Sequence, residues 1–489
     1  MEIGLFAAIG FLFAAYAVVG NDALQTLGTF INSNARLHWF WLFLFAGFIL
    51  VATFTYGWII NDGDPSWGRL SNTEKYPVVD IQWYHTLPPL ALLVITRFGV
   101  PVSTSFMVLT VFATVGGLTS MLMKSLIGYL LAFVVGLLVY LVTSRTLEKF
   151  FREHEPGAKA PWGLASIMGA LIGAFIYLVP PLINPEISYL PETAFTIFLF
   201  GVVLDIVASV AVLTFDNPVR AIAASILSAA LIGFVFRQLM PGQTVAVGIM
   251  SVLAAVVLYL VATRVNSGRI VYWIILQWVT TGYLWGVWLI QDFANIFVFL
   301  PRELSVFESF AAMFSIIVLL GYTFWNRGGP VQRILQAKTA VTDIRSATVI
   351  DFIYASLLFL FKEVSDIPMS TTFVFLGLIA GREYGFTLLD KSMDLFKACR
   401  LSLSDASKAF IGLAISINMA VFLPRLAAGL SGVEVEPVGQ SYLVFIALVN
   451  LLLVPVGWYL MKQASKPGMA VTGGLLAMAA AAFFIMPPG

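Results

Sequence analysis

The chain has 489 residues, of which 60% are hydrophobic and only 11% charged, and its mean hydropathy is +0.93; so little charged surface excludes a water-soluble globular protein of this size. A formal net charge of +1, with no basic block standing apart from the loops, excludes nucleic acid as a partner. The lone Cys399 rules out an intramolecular disulfide or a multi-cysteine metal site, and His38, His85 and His154 are too scattered for a metal cluster, so no cofactor is expected.

An all-α polytopic membrane protein remains, and about 20 apolar residues per bilayer crossing divide it. The first apolar run, 2–19, carries Glu2 in place of the positive start of a signal peptide and is expected to be a retained span. Further full-length spans are expected at 39–60, 124–143, 162–183, 190–213, 219–236, 243–263, 270–290, 305–325, 406–424, 441–461 and 468–486, making about twelve transmembrane helices. Two apolar stretches are left, 84–119 and 347–388, and a Pro-x-Ser-Thr element interrupts each near its middle.

Short cytoplasmic loops carry an excess of Lys and Arg. Four loops fit that rule: one with Arg145, Lys149, Arg152 and Lys159, one with Arg264 and Arg269, one with Arg327, Arg333, Lys338 and Arg345, and one with Lys391, Lys397 and Arg400. All four lie inside only if 84–119 enters and leaves on the outer face while 347–388 does so on the inner face. Both are then re-entrant hairpins, facing opposite ways. The same count puts Arg36 inside and the acidic loops with Asp62, Asp64, Glu74 and Asp80, and with Glu434 and Glu436, outside.

Opposed hairpins predict two inverted repeats with shared motifs. GNDALQT at 20–26 matches IQDFANI at 290–296, with Asn21, Asp22 and Gln25 aligned on Gln291, Asp292 and Asn295. PVSTSF at 101–106 matches PMSTTF at 368–373. Asp22 precedes Ser103 by 81 positions (22 to 103) and Asp292 precedes Ser370 by 78 (292 to 370), so two motifs recur in the same order at nearly equal spacing. The chain therefore divides into a first repeat at 1–143, connecting spans at 144–263, a second repeat at 264–425 and C-terminal helices at 426–489.

These elements resemble the inorganic phosphate transporters, a family that also includes sulfate permeases. Its halves carry GANDVANSFGT-like and SNDVANAIGP-like elements followed by PVSTTH-like ones, and the resemblance covers about 1–125 and 270–425 here. It implies two inverted repeats, twelve spans, two re-entrant hairpins and cation-coupled anion uptake. Phe106 and Phe373 replace the family's usual histidine, and Gln25 and Gln291 each replace an asparagine.

The chemistry of the residues supports the carry-over. A carboxylate at the bilayer centre costs roughly 2.5 to 3.5 kcal/mol on insertion scales, so Asp22 and Asp292 need partners. A hard cation such as sodium takes carboxylate and amide-carbonyl oxygens, which Asp22 and Asp292 and the amides of Asn21, Gln25, Gln291 and Asn295 offer, and broken helices would add backbone carbonyls. Singly, either aspartate could as well cap or pair within the bundle; the matched repeat favours the ion site. Ser103, Thr104, Ser105, Ser370, Thr371 and Thr372 would sit at hairpin tips, where a helix N-terminus and hydroxyls suit phosphate or sulfate without requiring arginine. Capping alone is the commoner role for one isolated Ser-Thr pair. Lys124, Asp205, Lys362, Glu363, Arg382 and Glu383 could snorkel or pair locally, and Arg302 and Glu303 stand where they could gate access, although a structural role weighs more.

Three classes compete. An enzyme such as an intramembrane aspartyl protease is weakest, because no Gly-x-Gly-Asp element lies in an apolar span and both aspartates belong to amide-rich repeats. An ion channel would more naturally show one continuous polar path. Opposed hairpins favour alternating access by a secondary symporter of an inorganic oxyanion, and no G-x-x-x-x-G-K-[ST] loop points to ATP. Phosphate with sodium is the leading pair; sulfate and proton coupling stay open, as does a homodimer. The expected location is a cell membrane, either the plasma membrane or a bacterial or archaeal inner membrane.

Overall fold

The computed structural model describes residues 3–97, 103–143, 270–326, 344–364, 368–390 and 413–420, with residues 153, 423, 424 and 429. The expected spans between 162 and 263 and beyond 440, Asp205, and the side chains of Asn21, Asp22, Gln25, Lys362, Glu363 and Glu383 lie outside the described residues.

All regular structure among the described residues is helical. Helix α1 (Leu5–Ala17) passes through a π-helical turn, Val18–Asp22, into α2 (Ala23–Ser33). The path therefore widens at the first motif rather than stopping there; such π turns inside α-helices recur at functional positions. Helix α3 (Trp39–Ile60) starts where His38 Nδ1 accepts from the Phe40 amide, and its outer residues are apolar, Phe48 being 74% exposed. A lipid-facing surface explains that exposure.

A long connection leads to a short 3-10 turn (Trp83–Thr86), then α4 (Leu87–Arg97), α5 (Thr104–Leu109) and α6 (Val115–Thr143). The second half contains α7 (Ile270–Phe297), α8 (Val306–Trp325), α9 (Ile344–Val364) and α10 (Thr371–Asp390). Four segments are long and apolar enough to cross a membrane, namely Trp39–Ile60, Val115–Leu138, Trp273–Phe297 and Val306–Trp325. They overlap the spans expected at 39–60, 124–143, 270–290 and 305–325.

Three boundaries differ from expectation, each for a local reason. Helix α6 begins at Val115 because the Thr114 hydroxyl accepts from the Gly117 amide and caps it early. Helix α7 continues through the second Asp motif to Phe297, since no glycine or proline lies between Gly286 and Pro301. That motif thus sits in intact helix, contrary to the broken-helix expectation. The stretch 347–388 is no pair of short arms: α9 and α10 have 21 and 20 residues, roughly 30 Å each at 1.5 Å per residue. No helix breaker occurs in α9, and Pro368 lies just before the start of α10.

Helices α6 and α10 pack through glycine. A Cβ on Gly136 would lie 2.6 Å from the Leu378 carbonyl oxygen, and one on Gly377 or Gly381 would collide with the carbonyl oxygen of Tyr129 or Phe133. Small residues permit this backbone approach, which drives helix association where lipid removes the hydrophobic contribution. The contact also carries the start of α10 to α6, where the Ser370 amide donates to Ser125 Oγ at 2.9 Å. Helix α7 lies at the centre, with Trp285 and Trp288 fully buried and stacked at 5.0 Å.

Candidate ion and oxyanion site

The two Pro-x-Ser-Thr tips meet inside the bundle. Ser103 Oγ accepts from the Phe106 amide at 3.3 Å at the start of α5, and Ser370 Oγ accepts from the Phe373 amide at 3.2 Å at the start of α10. Both serines therefore fill the capping role that was the commoner alternative. The Phe106 and Phe373 rings meet edge to face with centroids 5.6 Å apart, so the positions of the family's histidines hold an apolar contact. Ser105 Oγ donates to the Met369 carbonyl at 2.9 Å, tying one tip to the other.

Asp292 joins both tips. It is fully buried on α7; its Oδ1 accepts from Asn295 Nδ2 at 2.8 Å and its Oδ2 from Thr371 Oγ1 at 3.0 Å. The spacing of Asp292 and Asn295 explains the first bond, because residues three apart share a helix face. Asn295 Nδ2 also donates to Ser105 Oγ at 3.1 Å, while Gln291 Nε2 donates to the Leu358 carbonyl on α9 at 3.0 Å. Their amide hydrogens thus face protein oxygens.

The remaining oxygens define the chemistry. Gln291 Oε1, Asn295 Oδ1 and Thr104 Oγ1 are buried without a hydrogen-bond partner. Buried polar atoms are normally matched, so such oxygens near a carboxylate suit a hard cation. Among the described residues no three of His, Cys, Asp or Glu gather; Asp292 accepts from an amide and a hydroxyl, and the Arg69 charge also acts on it. Ser103, Thr104, Ser105, Ser370, Thr371 and Thr372 are each at most 2% exposed. The backbone turn that carries Asn21 and Asp22 packs against α7.

Two residues of interest were missed in the sequence. Asp351 on α9 is buried and accepts from Thr29 Oγ1 on α2 at 3.0 Å and from Thr281 Oγ1 on α7 at 2.8 Å. Its signal was a lone acid in the apolar run ATVIDFIY, which alone demands a partner. Arg69, in the acidic connection after α3, is 2% exposed and its Nε donates to the Ile290 carbonyl at 2.9 Å. No sequence feature distinguishes it from an ordinary loop arginine. Lys124 is buried in α6, and Glu303 is exposed.

No family model and no curated protein matches the chain. A solved structure described as "The sodium-dependent phosphate transporter" is similar over 87% of this chain and 100% of its own, at 16% identity and a TM-score of 0.47. A likeness that slight establishes neither the family nor the function of this chain.

Proposed function

We propose that the chain is a secondary active symporter that imports inorganic phosphate together with sodium across a cell membrane. One observation carries this reading: Asp292, the unmatched amide oxygens of Gln291 and Asn295, and the two Ser-Thr tips form one buried cluster drawn from both halves of the sequence. The carboxylate and amide oxygens hold the cation. The tips hold the anion through backbone N–H groups and hydroxyls, after Thr371 exchanges its bond to Asp292 for one to the oxyanion. Asp22, Asn21 and Gln25 are proposed to complete the cation site from the π-helical turn.

Cation and anion in adjoining sites strengthen each other by the same factor. Transport follows if the loaded site opens to alternate sides of the membrane. The test is uptake of labelled phosphate and sulfate into proteoliposomes, with sodium and pH gradients imposed separately. Phosphate uptake driven by sodium alone is expected. Uptake driven by a pH gradient alone replaces sodium with protons, preference for sulfate changes the substrate, and transport of neither anion refutes the proposal.

A further inference from the structure

The connection between α3 and α4, residues 61–82, forms a cap over the end of α7 that contains the second Asp motif. Its turns use left-handed backbone at Asp62, Gly63, Trp67 and Gly68, with φ of 51°, 97°, 59° and 70°. Asp64 holds them, accepting from the Ser66 amide at 2.7 Å, the Ser66 hydroxyl at 2.8 Å and the Gly68 amide at 3.1 Å. The cap is fastened on two sides. The Leu304 amide donates to the Gly63 carbonyl and the Thr114 amide to the Lys75 carbonyl, each at 2.9 Å.

Two arginines meet this cap. Arg69 reaches inward to the Ile290 carbonyl, and its charge acts on both Asp292 and Tyr76. Arg302, from the loop after α7, donates from Nη2 to the Tyr76 carbonyl at 3.2 Å. Burial weakens the hold of Arg302 on its proton, and the neighbouring Asp64 carboxylate counteracts that. Burial raises the Tyr76 hydroxyl well above its usual pKa, against the opposing charge of Arg69.

Around Asp292 the unmatched buried atoms are the amide oxygens of Gln291 and Asn295 and the Thr104 hydroxyl, with Trp288 Nε1 one turn back along α7. In and beside the cap they are donors: Trp67 Nε1, the Tyr76 hydroxyl, and Arg302 Nε and Nη1. Donors beside a positive charge favour an anion, and a guanidinium edge offers paired N–H groups to a tetrahedral oxyanion. The Asp64 carboxylate keeps its charge and acts on Arg302, but its oxygens accept from loop N–H and O–H groups, and Arg302 Nε and Nη1 stay open to another acceptor.

We propose that Arg302 and Tyr76, backed by the charge of Arg69, form an outer subsite that captures an inorganic oxyanion before it reaches the Asp292 cluster. The subsite rests on the oxyanion-transport reading above and assigns Arg302 a binding role beyond its bond to the cap.

The test uses the full chain in proteoliposomes, with external labelled phosphate varied under a fixed sodium gradient. Arg302→Gln raises half-saturating phosphate about tenfold while the saturated rate stays within about twofold, the pattern of lost binding to a charged donor. Tyr76→Phe keeps the carbonyl that holds Arg302 and raises half-saturation about two- to fivefold. Unchanged half-saturation in an inserted variant, or a fall in saturated rate alone, overturns the subsite; if Arg302→Gln does not insert, Tyr76→Phe decides. If the parent transports neither phosphate nor sulfate, the transport reading fails. Phosphate binding to detergent-solubilised parent and Tyr76→Phe then tests the subsite by itself: weaker binding in the variant upholds it, and equal binding overturns it.

Discussion

Replacing Asp292 by asparagine separates charge from shape. The new amide can keep both contacts, its oxygen accepting from Asn295 Nδ2 and its nitrogen donating to Thr371 Oγ1, whose hydroxyl turns to accept; the parent distances are 2.8 and 3.0 Å. Two bonds to a charged acceptor, about 1.5 to 3 kcal/mol each, become neutral ones of about 0.5 to 1.5 kcal/mol. Against that loss stands relief of the roughly 2.5 to 3.5 kcal/mol that a midplane carboxylate costs to insert. Folded stability is therefore expected to change by no more than about 1 kcal/mol. Cation binding has no such compensation. Losing the charged ligand weakens it by about 1.5 to 3 kcal/mol, a rise of about 10- to 150-fold in half-saturating sodium. Thermal unfolding in detergent reports the first quantity and sodium titration of phosphate uptake the second. Phosphate affinity should also lose its dependence on sodium. A variant with parental stability and parental sodium dependence refutes the assignment of Asp292 to the cation site.

Ser105→Ala removes the donation to the Met369 carbonyl and the acceptor for Asn295; about 1 to 3 kcal/mol of stability and a measurable part of phosphate affinity should go with it, and a variant matching the parent in thermal unfolding and uptake would show that the tip-to-tip bond is idle. Gly381→Val drives a side chain into the Phe133 carbonyl and should cost about 3 kcal/mol or more, whereas Gly4→Ala, which meets no atom within 4 Å, should leave the unfolding midpoint in place. For Asp351 the two substitutions should diverge. Asparagine can still pair with Thr29 and Thr281 and stays near parental stability, while alanine strands both hydroxyls and loses about 2 to 4 kcal/mol; equal midpoints would remove Asp351 as the tie between α2, α7 and α9.

Composition alone determined that this chain belongs in a membrane, because 11% charged residues cannot cover a soluble protein of 489 residues. The recurrence of the Asp and Ser-Thr motifs singled out Gln291, Asp292, Asn295 and both tips, since polar groups in an apolar run are costly enough to mark a shared purpose. The approximate helices were legible for the same reason: apolar length is a local property, read without knowing what lies alongside. Their ends were less so, as the extension of α7 to Phe297 and the full length of α9 and α10 show. Tertiary structure decided which polar atoms pair and which remain unmatched. Ser105 meets Asn295 across 190 positions, Thr29 meets Asp351 across 322, and Arg69 reaches Ile290 across 221, none of which follows from a helical period. The same arginine in an open loop would be solvated; folded onto α7, it becomes a buried charge whose field reaches Asp292. Burial sets the energetic weight of a polar group, and burial is a property of packing between distant segments.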